Sequence, residues 1–401
     1  MGPTDPPAGS VSRAGPDCQV SLATICREWT RIGCIGFGGP PTHIALLRRM
    51  CVQEREWIAA EEFEDGIAAT NLLPGPASTQ LAIFCAWRLR GRVGAALGGF
   101  CFIVPGLVVI LALSAVFLAG HPPDWILGAA AGAGAAVPAV AVHAAAGLVP
   151  ASWKRIGNRR SQQARWMSYA LVGAAAAAIL GAYLVLVLVL CGLFEITVRR
   201  ATPPSESRRR GAVALPVALG HAGAAGGLGA LTWVAFKVGA LSYGGGFVII
   251  PLMQHDAVDT YHWMNGAQFL NAVALGQVTP GPVVQTVAVV GYAAAGIGGG
   301  LLAALIAFGP SFCFVIVGGP RFDRLRTNGL IQAFLTGAGA SVVGAIAGSA
   351  IPLGFALQRA WQIPVLAAAL LWLLIARRGV VSALLIAGTA GVAIALAGVT
   401  V

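Results

Sequence analysis

Arg31-Ile-Gly-Cys-Ile-Gly-Phe-Gly-Gly-Pro40 is repeated later in the chain as Lys237-Val-Gly-Ala-Leu-Ser-Tyr-Gly-Gly-Gly246. The offset between the copies is 206 residues, as the step from Gly38 to Gly244 shows. Agreement at Gly, Pro and Trp is not expected by chance between apolar helices, so the chain is predicted to consist of two homologous halves. The same offset relates three further pairs without a gap: Trp57 and Trp263, Phe63 and Phe269, and Pro74-Gly75-Pro76 and Pro280-Gly281-Pro282.

The composition indicates a membrane protein. Hydrophobic residues make up 57% of the 401 residues, charged residues make up only 10%, and the mean hydropathy is +0.79. A soluble domain carries about a quarter charged residues. Gly266–Pro320 contains no charged residue and is long enough for two crossings of ~20 residues each. We therefore predict an all-α polytopic membrane protein with two homologous helical repeats and broken helices.

The distribution of Pro, Gly and basic residues predicts the boundaries of these repeats. Residues 1–19 are rich in Pro, Gly and Ser and lack an apolar core, so they are expected to form a disordered tail without a secretory signal. An additional helix over 213–230 is an option that would give an odd number of crossings before the second repeat. The expected segments after the tail are a first transmembrane repeat at 20–194, a basic cytoplasmic linker at 195–212 and a second transmembrane repeat at 213–401.

Basic residues in the loops indicate how the halves are oriented. Lys154–Arg165 is strongly basic, whereas its counterpart in the second half has only Arg359. Conversely, His121–Asp124 has no Lys or Arg, whereas Arg321–Arg326 carries three arginines at the matching place. Cytoplasmic loops are enriched in Lys and Arg, so these opposite biases predict halves that are inverted relative to one another. The same rule accounts for the net charge of +11 without nucleic-acid binding.

Glycine and proline interrupt the apolar segments at four places: Phe37–Pro41, Leu73–Pro76, Tyr243–Gly246 and Thr279–Pro282. Broken backbone at membrane depth persists only inside protein or along a wet cavity. Proline favours the first turn of a helix, and a helix start offers free N–H groups and a positive dipole end to an anion. The four breaks therefore predict an anion site near the membrane midplane. The alternative is that Gly and Pro only permit helix packing and kinks.

Arg31 and Lys237 are equivalent cations, each seven residues before the first Gly of its break. A cation at membrane depth costs ~2.5–3.5 kcal/mol on insertion scales. Two such cations without a repeat-matched carboxylate suit a dianionic substrate. Snorkelling to the interface is the alternative, and Glu28 stands at i−3 from Arg31, where it can form an ion pair.

The residues expected to bind the substrate are the break residues, these cations and the polar side chains that flank them. Hydroxyls and amides can donate hydrogen bonds to an oxyanion. His143, in an Ala-rich helix, is interpreted as packing or as a minor proton relay. The predicted binding residues are Arg31, Phe37, Gly38, Gly39, Pro40, His43, Asn71, Pro74, Gly75, Pro76 and Gln80 in the first half, and Lys237, Tyr243, Gly244, Gly245, Gln277, Thr279, Pro280, Gly281, Pro282 and Gln285 in the second.

Phe37-Gly-Gly-Pro40 with His43 downstream, followed by Leu73-Pro-Gly-Pro76 and the second copy of both motifs, resembles the chromate ion transporter family. The resemblance covers essentially the whole chain after the tail and matches the long, two-domain members. It implies a multi-pass carrier of the bacterial inner membrane that exports chromate and confers chromate resistance, with sulfate linked to some members. His43 is replaced by Ile249 in the second copy, so the first half is expected to supply more side-chain contacts.

The leading hypothesis is a secondary active transporter, driven by the membrane potential or, as an antiporter, by protons. The alternative is a membrane enzyme acting on a phosphorylated lipid, which would need a nucleophile with acid–base partners; no such His/Asp/Ser cluster is evident, so we expect no enzyme. The eight cysteines show no metal spacing, so we expect no metal and no cofactor. Chromate or sulfate and membrane lipid are the expected partners, nucleic acid is not, and a homodimer remains open.

Overall fold

The protein is described by a computed structural model. The described residues are 20–71, 73, 75–118, 122–154, 156, 159–180, 183–201, 227–242, 247, 249–318 and 328–400. The predicted tail at 1–19, most of the linker at 195–212 and the optional helix up to residue 226 lie outside them. Every regular element in the described part of the chain is a helix, which confirms the all-α fold.

The described residues of the first half form seven helices. Two of them end in a π-helical segment: α2 continues through Arg49–Glu54 and α6 through Ala176–Leu180. The helices are α1 (Leu22–Ile35), α2 (Pro40–Arg48), α3 (Ala60–Thr70), α4 (Ala77–Phe117), α5 (Asp124–Trp153), α6 (Arg160–Ala175) and α7 (Leu184–Ala201).

The second half repeats this order within its described residues. α9 and α13 continue into the π-helical segments His255–Thr260 and Leu371–Ile375, and a 3-10 turn at Val283–Gln285 precedes α11. The helices are α8 (Leu228–Leu241), α9 (Ile249–Gln254), α10 (Gly266–Val278), α11 (Thr286–Gly318), α12 (Gly329–Phe355), α13 (Gln362–Leu370) and α14 (Val380–Leu396).

The constant offset found in the sequence also relates the backbones of the halves. It separates the first residues of α1 and α8, of the two π-helical segments after α2 and α9, and of α3 and α10. It also relates two non-glycine residues with positive φ, Glu56 at 49° and His262 at 53°. The prediction of two homologous repeats is therefore confirmed at the level of single backbone angles.

α4 and α11 are helical hairpins rather than straight helices. The backbone leaves the helical region at Arg90 and Gly91 in α4 and at Ala295 and Gly296 in α11. A Cβ atom added to Gly98 would collide with the side chain of Ala86, although twelve residues of straight helix span about 18 Å. Each element therefore folds back on itself, and the residues before and after the turn are its first and second arms.

The helices are long and apolar enough for a multi-pass membrane protein. Four segments could each cross a membrane: Ala77–Phe117, Asp124–Trp153, Val283–Gly318 and Gly329–Phe355. Large apolar side chains face outward, including Ile179, Leu305 and Phe355, as expected for a surface that contacts lipid. By contrast, α1 and α8 have 14 residues each and extend about 21 Å, less than the ~30 Å hydrocarbon core. Neither helix alone is long enough to cross the membrane.

The first break lies level with the middle of the second arm of α4. α1 runs parallel to the second arm of α4, because Trp29 packs against Gly98 and Gly33 packs against the carbonyl of Phe102, four residues further along each helix. The second arm extends from Gly91 to Phe117, so its centre is near residue 104. α1 ends at Ile35, which is level with that centre. The break that follows α1 therefore lies at half the depth of this long arm.

The second arms of α4 and α11 are equivalent helices that pack against each other in opposite directions. Gly99 meets the ring of Phe312, whereas Leu111 meets Gly300. The contacts therefore move twelve residues toward the C-terminus along α4, from Gly99 to Leu111, and twelve residues toward the N-terminus along α11, from Phe312 to Gly300. Equivalent elements of the two repeats are antiparallel at the interface between the halves.

Candidate functional site

The breaks of the two halves are joined by a reciprocal pair of backbone hydrogen bonds. The N–H of Gly75 donates to the carbonyl oxygen of Ser242 over 2.9 Å, and the N–H of Gly281 donates to the carbonyl oxygen of Gly36 over 2.9 Å. Gly281 is the repeat equivalent of Gly75, and Ser242 is the equivalent of Gly36. The second break of each half is therefore tied to the first break of the other half.

Glycine is required at the donor positions of these bonds. The φ angles are 124° at Gly75 and 101° at Gly281, in a region that L-residues with a Cβ rarely adopt. A Cβ on Gly75 would also collide with the side chain of Gln80 and would lie 3.1 Å from the hydroxyl oxygen of Ser311. Both the backbone angle and the close packing therefore explain why each Pro-Gly-Pro motif has Gly at its centre.

His43 connects the end of α1, next to the first break, to the start of α4 through hydrogen bonds. Its side chain is fully buried, its Nε2 lies 2.9 Å from the carbonyl oxygen of Gly36, and its Nδ1 lies 3.2 Å from Oγ of Ser78. A carbonyl oxygen only accepts, so Nε2 carries the proton and donates to Gly36, and the hydroxyl of Ser78 donates to Nδ1. Both ring nitrogens are engaged within the protein. His43 was predicted to bind substrate, but it links the first break to the start of α4 instead.

A cavity of about 510 Å³ opens beside the breaks. Its wall combines residues of both halves: the first two breaks, the end of α3, Phe247, the C-terminal third of α5 and part of α12. It extends along α5 from His143 to Ser152, which is about 14 Å at 1.5 Å per residue. Six residues predicted from the sequence line the cavity: Gly38, Gly39, Pro40, Asn71, Gly75 and Gln277.

The hydrogen-bond donors at the cavity differ between the two helix starts. α2 begins with Pro40 and Pro41, as the sequence predicted, so its first two residues offer no N–H group. α4 begins at Ala77, which lines the cavity. The first N–H groups of a helix have no partner within the helix and carry its positive dipole end. The start of α4 is therefore the stronger anion-binding end of the two.

Asn71 and Gln277 are repeat-equivalent amides that line the same cavity, one from each half. Gln277 is only 7% exposed, and its Nε2 has no hydrogen-bond partner among the described residues. A buried donor without a partner costs about 1–3 kcal/mol. Such a donor in a cavity wall has the chemistry of a ligand contact, because an oxygen of the ligand can supply the missing acceptor.

Other predicted polar residues lie behind the breaks rather than in the cavity. Gln285 is fully buried, and its Nε2 donates to the carbonyl oxygen of Ile103 over 2.7 Å. Thr279 donates to the carbonyl oxygen of Leu275 over 2.8 Å, and Gln80 is packed beneath Gly75. Gln80 and Gln285 thus pack against Gly75 and Gly281 rather than line the cavity.

The proline and aromatic residues of the motifs occupy different kinds of position in the structure. Pro76 and Pro282 are the residues that directly precede α4 and the 3-10 turn before α11, and the carbonyl of Pro280 packs against Gly106. Phe37 is 42% exposed and is absent from the cavity wall. Four predicted residues lie outside the described part of the chain: Pro74, Tyr243, Gly244 and Gly245.

The two predicted cations do not line the cavity. Nε of Arg31 lies 3.4 Å from the carboxylate of Glu28, and the Arg31 side chain is 54% exposed. Nζ of Lys237 lies 2.6 Å from Oδ2 of Asp256, and both side chains are largely buried. Lys237 therefore has a carboxylate partner, although not a repeat-matched one, because the π-helical segment after α9 brings Asp256 to it and the equivalent residue of the first half is Met50.

Lys237→Ala is expected to destabilise the folded protein by about 3–5 kcal/mol, because it leaves the carboxylate of Asp256 buried without a partner. Replacing both residues, as Lys237→Met with Asp256→Leu, should recover most of this stability. Arg31→Ala is the matched control and should cost no more than about 1 kcal/mol, since the Arg31 side chain is exposed and the buried Glu28 keeps its ion pair with Arg55. Thermal unfolding in detergent measures all three variants, and equal losses for Lys237→Ala and Arg31→Ala would contradict the assignment.

Several parts of the cavity wall were not predicted from the sequence, and α12 and α5 are two of them. One is α12, where Gly339, Val342 and Val343 line the cavity within a helix of ordinary apolar composition. The other is α5, where His143 lines the cavity. The available signal was that His143 interrupts an apolar helix without another ionisable residue nearby.

Two repeats of broken helices, joined at mid-depth around a cavity that both halves line, define the class of membrane transporters. The chain belongs to the chromate transporter family, because the model of that family, described as chromate transporter, matches residues 23–196 and 229–394. The starts of these two matches are separated by the same offset as the sequence repeats. The protein is therefore a multi-pass protein of the inner membrane.

Individual relatives agree with this assignment. A chromate transport protein of Cupriavidus metallidurans is 32% identical over 354 residues, which cover 86% of this chain and 85% of the relative. A chromate transport protein of Pseudomonas aeruginosa is 32% identical over 348 residues, which cover 83% and 81%. An uncharacterized transporter of Methanocaldococcus jannaschii is 26% identical over 363 residues, which cover 86% and 87%. No solved structure matches the chain significantly.

Proposed function

We propose that this protein is a secondary carrier that exports chromate from the cytoplasm and binds it in the cavity beside the helix breaks. The observation that carries the proposal is the convergence of the start of α4 with the amides of Asn71 and Gln277 on one cavity of about 510 Å³. N–H donors at a helix start and carboxamide donors suit a tetrahedral oxyanion. The relatives named as chromate transport proteins support chromate as the substrate.

The charges around the cavity favour an anion that enters from one end. Lys154, Arg159 and Arg160 follow the end of α5, where Ala151 and Ser152 line the cavity. Arg377 and Arg378 are exposed and precede Val380, which lines the same cavity. Positive charges around one mouth raise the local concentration of an anionic substrate and its rate of association.

The same basic residues support loading from the cytoplasm. Short loops rich in Lys and Arg lie on the cytoplasmic side of a membrane protein. The mouth between the end of α5 and the start of α14 therefore faces the cytoplasm, and a substrate that enters there is bound at mid-depth. Export then requires the opposite end of the site to open.

The antiparallel packing of the second arms of α4 and α11 supports inverted repeats. Equivalent helices that cross the membrane in opposite directions belong to halves of opposite orientation, and inverted repeats commonly provide alternating access by rocking of one half against the other. The turns at Gly91 and Gly296 are then on opposite sides of the membrane, with the basic turn at Gly91 in the cytoplasm.

This orientation predicts the labelling of two engineered cysteines, Arg92→Cys and Gly298→Cys, in a background without the eight native cysteines. Both positions are exposed next to a turn. A membrane-impermeant thiol reagent added to intact cells should label only Gly298→Cys, and in inside-out vesicles it should label only Arg92→Cys. Labelling of both cysteines from the same side would exclude inverted repeats.

Proteoliposomes test the proposed function directly. Purified protein should give uptake of labelled chromate well above that of empty liposomes, and unlabelled sulfate should compete, because both ions are tetrahedral dianions. An imposed potassium diffusion potential and an imposed pH gradient, applied separately, distinguish driving by the membrane potential from exchange for protons. No chromate flux above empty liposomes under either gradient would refute the proposal.

A further inference from the structure

His143 has an unusual position in the cavity. Among the described residues of the cavity wall, it is the only side chain of the Lys, Arg, Asp, Glu or His type. It is half-buried on α5, and no hydrogen bond or ion pair joins its ring to another described residue. A ring without a protein partner in a cavity wall leaves both of its nitrogens available to a bound ligand.

Among the described residues around His143, no other charged side chain is placed to balance a bound anion. α5 packs against α4, α10, α12, α13 and α14. Of these, the last four carry no Lys, Arg, Asp, Glu or His along their described lengths. Within α5, Asp124 stands near the start of the helix, about 29 Å from His143 along the helix axis. Lys154, just beyond the end of the helix, is about 17 Å from His143 along the same axis.

The remaining ionisable groups near α5 are directed elsewhere. The arginines of α4 lie at its turn, where Arg88 forms an ion pair with Glu62 and Arg90 donates to the carbonyl oxygen of Val20. Cys85 of α4 is buried, and neither it nor Cys101 lines the cavity. His43 of α2 is held between Gly36 and Ser78. Among the described residues, His143 is thus the one titratable group of this region that faces the cavity.

We propose that His143 contacts the bound oxyanion and that binding of the dianion takes up one proton onto its imidazole. The proposal rests on the proposed function, because it concerns the same cavity. The proton comes from the solvent and forms a second ring N–H bond, and the resulting imidazolium donates a charge-assisted hydrogen bond to an oxygen of the anion. No covalent bond to the anion forms or breaks.

A defined pH dependence follows from this contact. Histidine is the side chain that changes charge between pH 5 and 8. Because binding takes up a proton, the oxyanion is expected to bind more tightly as the pH falls. The cytoplasmic mouth would then bind substrate most strongly when the cytoplasm is acidified.

Isothermal titration calorimetry with chromate, on the purified full chain in nanodiscs, tests the proposal. Measurements at each pH between 6.5 and 8.5, in buffers of different ionisation enthalpy, count the protons taken up on binding. The His143→Gln variant keeps a hydrogen-bonding side chain but cannot be charged, and His143→Lys is charged over the whole interval. His262→Asn is the matched control, because His262 is exposed, is not part of the cavity wall, and has a positive φ that Asn tolerates.

The wild type is expected to take up about one proton more on binding than His143→Gln does. This difference between the two proteins excludes the protonation of chromate itself, which is the same in both titrations. His143→Gln should bind about tenfold more weakly at pH 6.5, the difference between a charged and a neutral hydrogen bond. His143→Lys should bind without this proton uptake, and His262→Asn should match the wild type. Equal proton uptake in the wild type and His143→Gln would overturn the proposal and leave the proposed function intact. No chromate binding by the wild type would overturn both.

Discussion

Chromate flux is expected to fall about a hundredfold in Gly75→Ala. The substitution places a Cβ at a φ of 124° and against the side chain of Gln80. The backbone of the second break must therefore shift, and the first N–H groups of α4 shift with it. Displacement of positioned groups by about 1 Å costs about a hundredfold in rate in enzymes, and the same geometric demand applies to an anion held by N–H groups. Flux in proteoliposomes per unit of folded protein is the measurement.

Two variants make the result of Gly75→Ala interpretable. Gly281→Ala changes the equivalent residue, where a Cβ would lie 3.2 Å from the side-chain amide of Gln285, and it should also lose flux. Gly91→Ala is the matched control: its φ is 59°, but a Cβ would meet nothing within 4 Å. Gly91→Ala should lower the melting temperature, and its chromate flux per unit of folded protein should equal that of the wild type. Normal flux in both Gly75→Ala and Gly281→Ala would show that the breaks serve only helix packing.

Gln277→Leu is expected to abolish chromate transport while the melting temperature stays the same or rises. Nε2 of Gln277 has no hydrogen-bond partner among the described residues. Its removal therefore breaks no hydrogen bond of the described protein, and it eliminates the cost of about 1–3 kcal/mol for a buried donor without a partner. Chromate, by contrast, loses a donor in the cavity. A variant that loses transport but keeps or raises its melting temperature has lost a ligand contact, whereas the loss of a structural side chain lowers the melting temperature.

Gln362→Leu provides the control with the reverse pattern. Oε1 of Gln362 accepts from the N–H groups of Gln358 and Arg359 over 2.9 and 3.1 Å, and its Nε2 donates to the carbonyl oxygen of Ala131 over 3.1 Å. Its replacement should lower the melting temperature, and the flux per folded molecule should remain. Destabilisation by Gln277→Leu as large as that by Gln362→Leu would refute the role of Gln277 as a ligand contact.

The repeat and the positions of its breaks could be predicted from the sequence because both depend on local chemistry. Gly and Pro interrupt a helix wherever they stand together, and a constant offset between two copies of a motif can be read without knowledge of the packing. The starts of α2 and α4 next to Pro40 and Pro76 are local features of the same kind. The membrane class followed from composition alone.

The partners of individual side chains could not be predicted, because they depend on the register between helices. Asp256 belongs to a different helix from Lys237 and reaches it only through the π-helical segment after α9, which no residue pattern indicates. His43 lies two residues after the first break, yet it turns away from the cavity toward Ser78. Hydrophobic periodicity predicts which face of a helix is buried, but it does not predict which neighbouring helix that face meets.

The two hydrogen bonds between the breaks have a mechanical consequence. Gly75 with Ser242 and Gly281 with Gly36 connect the halves at two points. A rigid half that moves while both bonds persist can only rotate about the line that passes through them. Both bonds lie beside the cavity, so a rotation about this line leaves the backbone arrangement of the breaks unchanged.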